Sequence, residues 1–222
     1  MASTINASSG ATSGLISTGD ATGILALQTG ASATTALTLS ATQAATFAGT
    51  ATFPTTIGVG NATPSASGAG ITFPATQSAS TDANTLDDYE EGTWTPVLGD
   101  GNGNSCTMTS GASGRYTKIG NVVMVVFNEI SYSSKSTLVS DILITGLPFT
   151  TRASMRSVGA FASATSGTFT SGINRLLGYV EGSTTTITII TINSTTNFGA
   201  QHSSSLIGAT GTLYAFQLTY LV

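Results

Sequence analysis

Four acids within five positions, Asp87, Asp88, Glu90 and Glu91, form the densest chemistry-bearing cluster in the sequence. Paired carboxylates hydrolyse glycosides when they stand about 5–9 Å apart across a sugar. Neighbours in one short stretch rarely face a common cleft, so the run reads better as a solvated hinge. Three copies around an axis would also suit a hard cation, which prefers carboxylate oxygen. A second candidate is Gly99-Asp100-Gly101-Asn102-Gly103-Asn104-Ser105, which opens with the Asp-x-Asn-x-Asn spacing of a calcium loop. The match fails at the sixth position, Ser105 rather than Gly, and at the twelfth, Gly111 rather than Glu. A polar hairpin turn is the better reading, because Asp, Asn and Gly are turn formers.

His202 is the only histidine and sits in a Gln-His-Ser-Ser-Ser setting, as a surface-loop residue does. Cys106 is the only cysteine, so no intrachain disulfide is possible, and with no neighbouring base it reads as a buried or semi-buried structural thiol. The serine-hydrolase and nucleotide-binding motifs Gly-x-Ser-x-Gly, Gly-x4-Gly-Lys-Ser/Thr and Gly-x-Gly-x-x-Gly do not occur. The sequence therefore assigns no catalytic residue, cofactor or metal ligand, and the expectation is a protein that is not an enzyme. Tyr89 and Trp94 could stack on sugar rings, but with Pro96 beside it Trp94 reads as packing, given the area an indole buries. Leu86, Tyr89, Trp94 and Pro96, with Phe53 and Phe73, are the expected hinge and trimer-packing residues. Recognition usually sits on loops of a rigid scaffold. The polar stretches Ser131–Thr137 and Thr195–Ser205 are the candidates, with Tyr132, Phe198 and His202 as possible receptor contacts.

The elements that must position these residues are strands. Asn121–Ile130 is apolar on both alternating faces and predicts a central strand. Ile142–Ile144 is a short one. Thr186–Ile192 alternates and changes phase between Ile189 and Ile190, which predicts a β-bulge. The C-terminal run places Tyr214, Phe216, Leu218, Tyr220 and Val222 on one face. Ser157–Ala162 and Leu176–Val180 are weaker candidates. Several short strands divided by turn signals argue a sandwich or barrel, and no amphipathic helix is legible.

The first 81 residues differ in kind. Asp20 is their only charged residue, whereas Asp82, Asp87, Asp88, Glu90 and Glu91 follow without a base, and all six Lys and Arg lie after Gly92. Charged residues are 7% of the chain, against about 25% in typical soluble domains. Such surfaces are expected to be covered by other subunits. No basic groove is present, so nucleic-acid binding is not expected. No apolar run reaches the roughly 18 residues of a spanning helix, so membrane insertion is not expected either. Met1-Ala-Ser-Thr-Ile-Asn has no basic region of a signal peptide, which together with the lone cysteine fits assembly in a reducing cytoplasm.

Leu25, Leu27, Leu37 and Leu39 alternate with small residues, as half-buried strands do. Thr46-Phe47, Thr52-Phe53-Pro54 and Thr72-Phe73-Pro74 repeat a Thr-Phe unit whose prolines favour edges and turns. No heptad pattern supports a coiled coil. The reading is an assembly anchor over 1–40, an extended shaft and hinge over 41–91, and a β-sandwich head over 92–222.

Leu86-Asp87-Asp88-Tyr89-Glu90-Glu91-Gly92-Thr93-Trp94-Thr95-Pro96 carries a resemblance. So do Gly114-Arg115-Tyr116-Thr117-Lys118-Ile119-Gly120-Asn121-Val122-Val123 and Ile144-Thr145-Gly146-Leu147-Pro148-Phe149. From about Asn84 onward the chain resembles the C-terminal part of tailed-bacteriophage fibre and appendage proteins. That family is defined by virion structure rather than chemistry. The resemblance implies an all-β, intertwined homotrimer: a jelly-roll-like β-sandwich head on a Gly/Thr-rich shaft. It implies a virion protein assembled in the host cytoplasm. The homotrimer would dock on other tail, collar or capsid proteins through 1–40 and contact a host-surface glycan or protein through its head. A capsid decoration or head-fibre protein is the alternative, and a polysaccharide-degrading tailspike a lesser one.

Overall fold

The computed structural model describes residues 24–29, 34–42, 44–53, 55–76, 80–82, 84–109, 111–135, 138–165, 173–193, 200–201 and 207–222. Every regular element among them is a strand. The chain divides into two compact units, Met1–Ile57 with Ala66–Gly70, and Gly58–Ser65 with Ile71–Val222.

In the first unit, β1 (Leu25–Thr29), β2 (Thr34–Leu39) and β3 (Ala45–Phe47) form an antiparallel three-stranded sheet. Leu25 pairs with Leu39 and Leu27 with Leu37, so the alternating leucines are strand residues as their spacing predicts. Leu25, Leu27, Leu39 and Phe47 are nevertheless exposed in the single chain. Two short strands, β4 (Thr56–Gly58) and β5 (Gly70–Thr72), pair with each other.

The larger sheet takes β6 (Tyr89–Trp94), β7 (Val97–Asp100), β8 (Thr107–Met108), β9 (Gly114–Ile119) and β10 (Val122–Ser134). It continues with β11 (Ile142–Thr145), β12 (Ser157–Ala164), β13 (Ile173–Val180), β14 (Thr186–Asn193), β15 (Ala200–Gln201) and β16 (Gly211–Leu221). Its hydrogen-bonded order is β6-β9-β10-β16-β12-β13-β14-β11-β7, with β8 on β10 and β15 on β14. The two ends of this path, β6 and β7, are joined by Thr95 and Pro96 alone. Three Cα–Cα steps span at most about 11 Å. The sheet must therefore curl until its edges meet at that corner. This differs from the separate sheets of a jelly-roll-like sandwich. One continuous sheet folded on itself supplies both inner faces of the core.

The core is lined by Trp94, Leu98, Val123, Val125, Phe127, Ile130, Ile142, Ile144, Ile187, Ile189, Leu218 and Tyr220, among others. β10 is central as its composition predicts, with β9 on one side and β16 on the other. The predicted bulge between Ile189 and Ile190 is not where the ladder breaks. Leu177–Ile190 and Gly178–Ile189 pair in one register, and the irregularity falls between Ile173 and Arg175 on β13. The run is apolar on both alternating faces; Ile187 and Ile189 enter the core, while Ile190 on the other face is half-buried.

The C-terminal strand also departs from its predicted face. Phe216, Leu218 and Tyr220 are buried, but so is Leu213 in place of Tyr214. Ala215 between them has φ +37°, a left-handed value for a non-glycine residue. The opposing strand switches in step: Val123, Val125 and Phe127 are buried on one side of Asn128, Ile130 and Tyr132 on the other. The local turn of both strands carries the sheet around its curl.

Candidate functional site

The three stretches that carry the family resemblance meet in space. β6 and β9 are antiparallel neighbours in which Gly92 faces Tyr116 and Trp94 faces Gly114. The glycines are required by the aromatics. A Cβ at Gly92 would collide with the Tyr116 ring, and one at Gly114 with the Trp94 indole. Each aromatic thus lies across the glycine of the other strand. The Gly-x-Trp and Gly-x-Tyr spacings are two halves of one ladder, separated in sequence but locked by register. Trp94 meets Phe127 edge-on at a centroid distance of 6.2 Å. Tyr116 meets Phe149 edge-on at 5.3 Å.

Phe149 comes from the third stretch. Its ring takes the Lys118 ammonium at 5.7 Å, and its carbonyl accepts a hydrogen bond from the Tyr220 hydroxyl at 3.2 Å. Gly146, at φ +95°, lies so close to the Thr95 carbonyl that no side chain fits. β11 meanwhile pairs Thr145 with Val97, just past the Thr95–Pro96 corner.

The acids do not converge on a cleft. Asp88 is buried in an ion pair with Lys118. Glu90 accepts the Tyr116 hydroxyl proton in a hydrogen bond, Glu91 that of Tyr89, and Asp87 the Ser80 amide at 2.7 Å. The bond to Glu90 and burial hold the Tyr116 phenol up at about 12. Burial lowers Lys118 below the ordinary lysine range, which nearby Asp87 partly offsets. The stretch Tyr89–Glu91, expected to be a solvated hinge, is the first half of edge strand β6. Alternation explains the difference: Asp88, Glu90, Gly92 and Trp94 share one face of a strand whose other face carries Tyr89, Glu91 and Thr93.

Asp100 closes the β7–β8 loop. Its carboxylate accepts hydrogen bonds from the amides of Val139 (2.8 Å), Asn102 (3.0 Å) and Asn104 (2.9 Å), and from the Asn104 side chain. These donors, the Val139 amide foremost, hold its carboxyl down at about 2. The oxygens a calcium ion would need are thus engaged by N–H groups of a polar turn. The sign of the pH effect follows. A folded pKa below the ordinary 3.8 gives stability that is full above that value and lost as pH falls through about 2. Asp100→Asn should lower the melting temperature at neutral pH. The difference from wild type should shrink as acid protonates the native carboxyl, as thermal melts between pH 2 and 7 would record.

Cys106 is buried, and desolvation raises its thiol to about 11, so it is held as the thiol at neutral pH. Among the described residues no cluster of three His, Cys, Asp or Glu is placed to hold a metal ion.

The remaining expected site residues divide. Trp94 is 5% exposed and presents no face to a sugar. Pro96 is buried at the corner, whereas Leu86 is exposed. Tyr89 is partly exposed and packs on Phe73 at a centroid distance of 6.3 Å. Phe53 is 52% exposed in the single chain. Tyr132 is a correction: at 2% exposure, with its hydroxyl donating to the Gly208 carbonyl, it is a core residue and no receptor contact. The polar stretch beginning at Ser131 is likewise strand through Ser134, paired with β16 and β8. The face switch at Asn128 is what turns Tyr132 inward. Phe198 and His202 lie outside the described residues. Residue typing missed the outer side of the β6–β9 pair, where Glu91, Thr93, Arg115 and Thr117 line an open polar groove of about 420 Å³. Register alone assembles it, and strand alternation in the two motifs was the signal.

The fold is one found in part of a phage tail appendage. It is similar to the crystal structure of Dettilon tailspike protein, with a TM-score of 0.52 and 19% identity over 74% of this chain and 30% of that one. The chain thus spans less than a third of that tailspike's length. No model of a known family matches the sequence. No curated protein matches it either.

Proposed function

We propose that this chain is a homotrimeric phage tail fibre or short tail appendage that binds the host surface without turning over a substrate. Residues 1–40 dock on another virion protein, the segment from 41 to the start of β6 forms the shaft, and the C-terminal unit recognises a surface glycan or protein. The observation that carries the reading is the apolar surface a single chain leaves uncovered. Ile24, Leu25, Leu27, Leu39, Phe47, Phe53, Ile57, Val59 and Ile71 are all exposed. Surfaces of this kind mark sites of association. The tailspike-like curled sheet and the three resembling stretches support a phage particle as its setting. Binding without turnover is supported by the acids, each of which is engaged by its own local donor.

Trimeric presentation turns weak single contacts into avidity, a gain of about 10²–10⁴ where geometry permits. Particles assembled without the protein should lose most of their adsorption to host cells. Phe198→Ala and His202→Ala should lower adsorption while leaving incorporation into the particle intact. Normal adsorption with a weakened capsid would instead make it a decoration protein. Release of oligosaccharide from host polysaccharide by the purified chain would make it an enzyme.

A further inference from the structure

β10 is apolar on both faces, and the curled sheet covers only one of them. Val123, Val125 and Phe127 enter the core, while Val122, Met124 and Val126 face outward. The same outer face continues across the register. Tyr89, Ile119, Val122 and Leu221 stand in one row on four adjacent strands. In the neighbouring rows stand Met124 opposite Thr117 and Thr219, and Val126 opposite Arg115 and Gln217, with Ala160 beyond. Ile119 is 49% exposed, Met124 40% and Val158, on the next strand, 56%. Between Ile119 and Ala160 this field holds no charged side chain except Arg115. Glu91 on β6 and Arg115 on the neighbouring β9 stand at that side of the field, one of each sign.

We propose that this outer face is where copies of the chain pack against one another. The proposal rests on the homotrimer reading and names its surface. Three arguments select a second copy as the occupant. A field whose two charges both lie at its β6–β9 side loses little hydration over the rest of its area on burial, and the few polar groups there, Thr117, Thr219 and Gln217, can bond across. The acid and base at its rim complement one another between identical chains. The size also fits. Five strands at about 4.8 Å and the seven residues from Val122 to Asn128 at about 3.4 Å give roughly 20 by 24 Å. With side-chain relief, that is on the order of the 800 Å² per partner of a standard stable interface.

The test uses the full chain. Light scattering at micromolar concentration should give three times the chain mass for the wild type. The double variant Val122→Glu/Val158→Glu should give the mass of one chain, with the β-type circular dichroism retained, since both side chains point away from the core. Peroxide oxidation read by mass spectrometry tests the face without a variant. In a lone chain Met124 is more exposed than Met108 and Met155 and should oxidise before them. In the assembly it should oxidise last of these three. A wild-type trimer in which Met124 still oxidises first, or a double variant that stays trimeric, overturns this face and leaves the trimer standing. A monomeric wild type overturns both, and protection of Met124 in that monomer would mean that a segment of the same chain covers the face.

Discussion

Trp94→Ala should lower the stability of the C-terminal unit by about 3–5 kcal/mol, the range for truncating a buried large aromatic. The indole is 5% exposed and fills the space between Phe127 and the bare backbone of Gly114. The residue across the ladder is a glycine, so the opposing strand offers no side chain to fill that space. Trp94 Nε1 has no hydrogen-bond partner among the described residues, so the loss is one of packing. Trp94→Phe should therefore recover much of it. Gly114→Ala should be destabilising by about 1–3 kcal/mol on its own, as overpacking is. In the Trp94→Ala background the same change should be close to neutral, since the colliding ring is gone. Urea unfolding of the four proteins gives the coupling energy. A Gly114→Ala effect of the same size in both backgrounds would show that the indole does not lie on the glycine.

Lys118→Met should be nearly as damaging, at about 3–5 kcal/mol, because it leaves Asp88 buried without its counter-charge. Both partners are largely withdrawn from water, and Lys118 also caps the Phe149 ring. Asp88→Asn should cost a similar amount by stranding the ammonium. The double change Asp88→Leu/Lys118→Met should regain most of the loss, since apolar groups of like volume often match or exceed a buried pair. Denaturant midpoints at low and high salt separate this pair from a surface one. Screening weakens exposed pairs, and the Asp88–Lys118 effect should persist at 1 M salt, where the Debye length is about 3 Å.

The two predictions share a lesson about how the candidate site is written in the chain. The strand character of Asn121–Ile130, of Ile142–Ile144 and of the C-terminal run is legible because period-2 alternation of Val, Ile, Leu and aromatic residues is a local signal. The paired leucines of β1 and β2 are legible for the same reason. So is the turn at Asp100, since Asp, Asn and Gly form turns from local hydrogen bonds and left-handed conformations. The burial of Cys106 and Trp94 also follows from residue type.

Register and curvature are not local. Residue types gave no sign that Gly92 lies under Tyr116 and Gly114 under Trp94, because that depends on which strand pairs with which. A single acid-rich run therefore read as a hinge, when half of it is an edge strand whose acids are divided between two faces. Tyr132 and Ser131 looked like loop residues, but the left-handed turn at Ala215 and its counterpart at Asn128 exchange the inner and outer faces mid-strand. The second apolar face of β10 was visible in the sequence as composition. Only the curled sheet decided that the chain's own core takes one face and leaves the other turned outward, because a single sheet closed on itself has one inside.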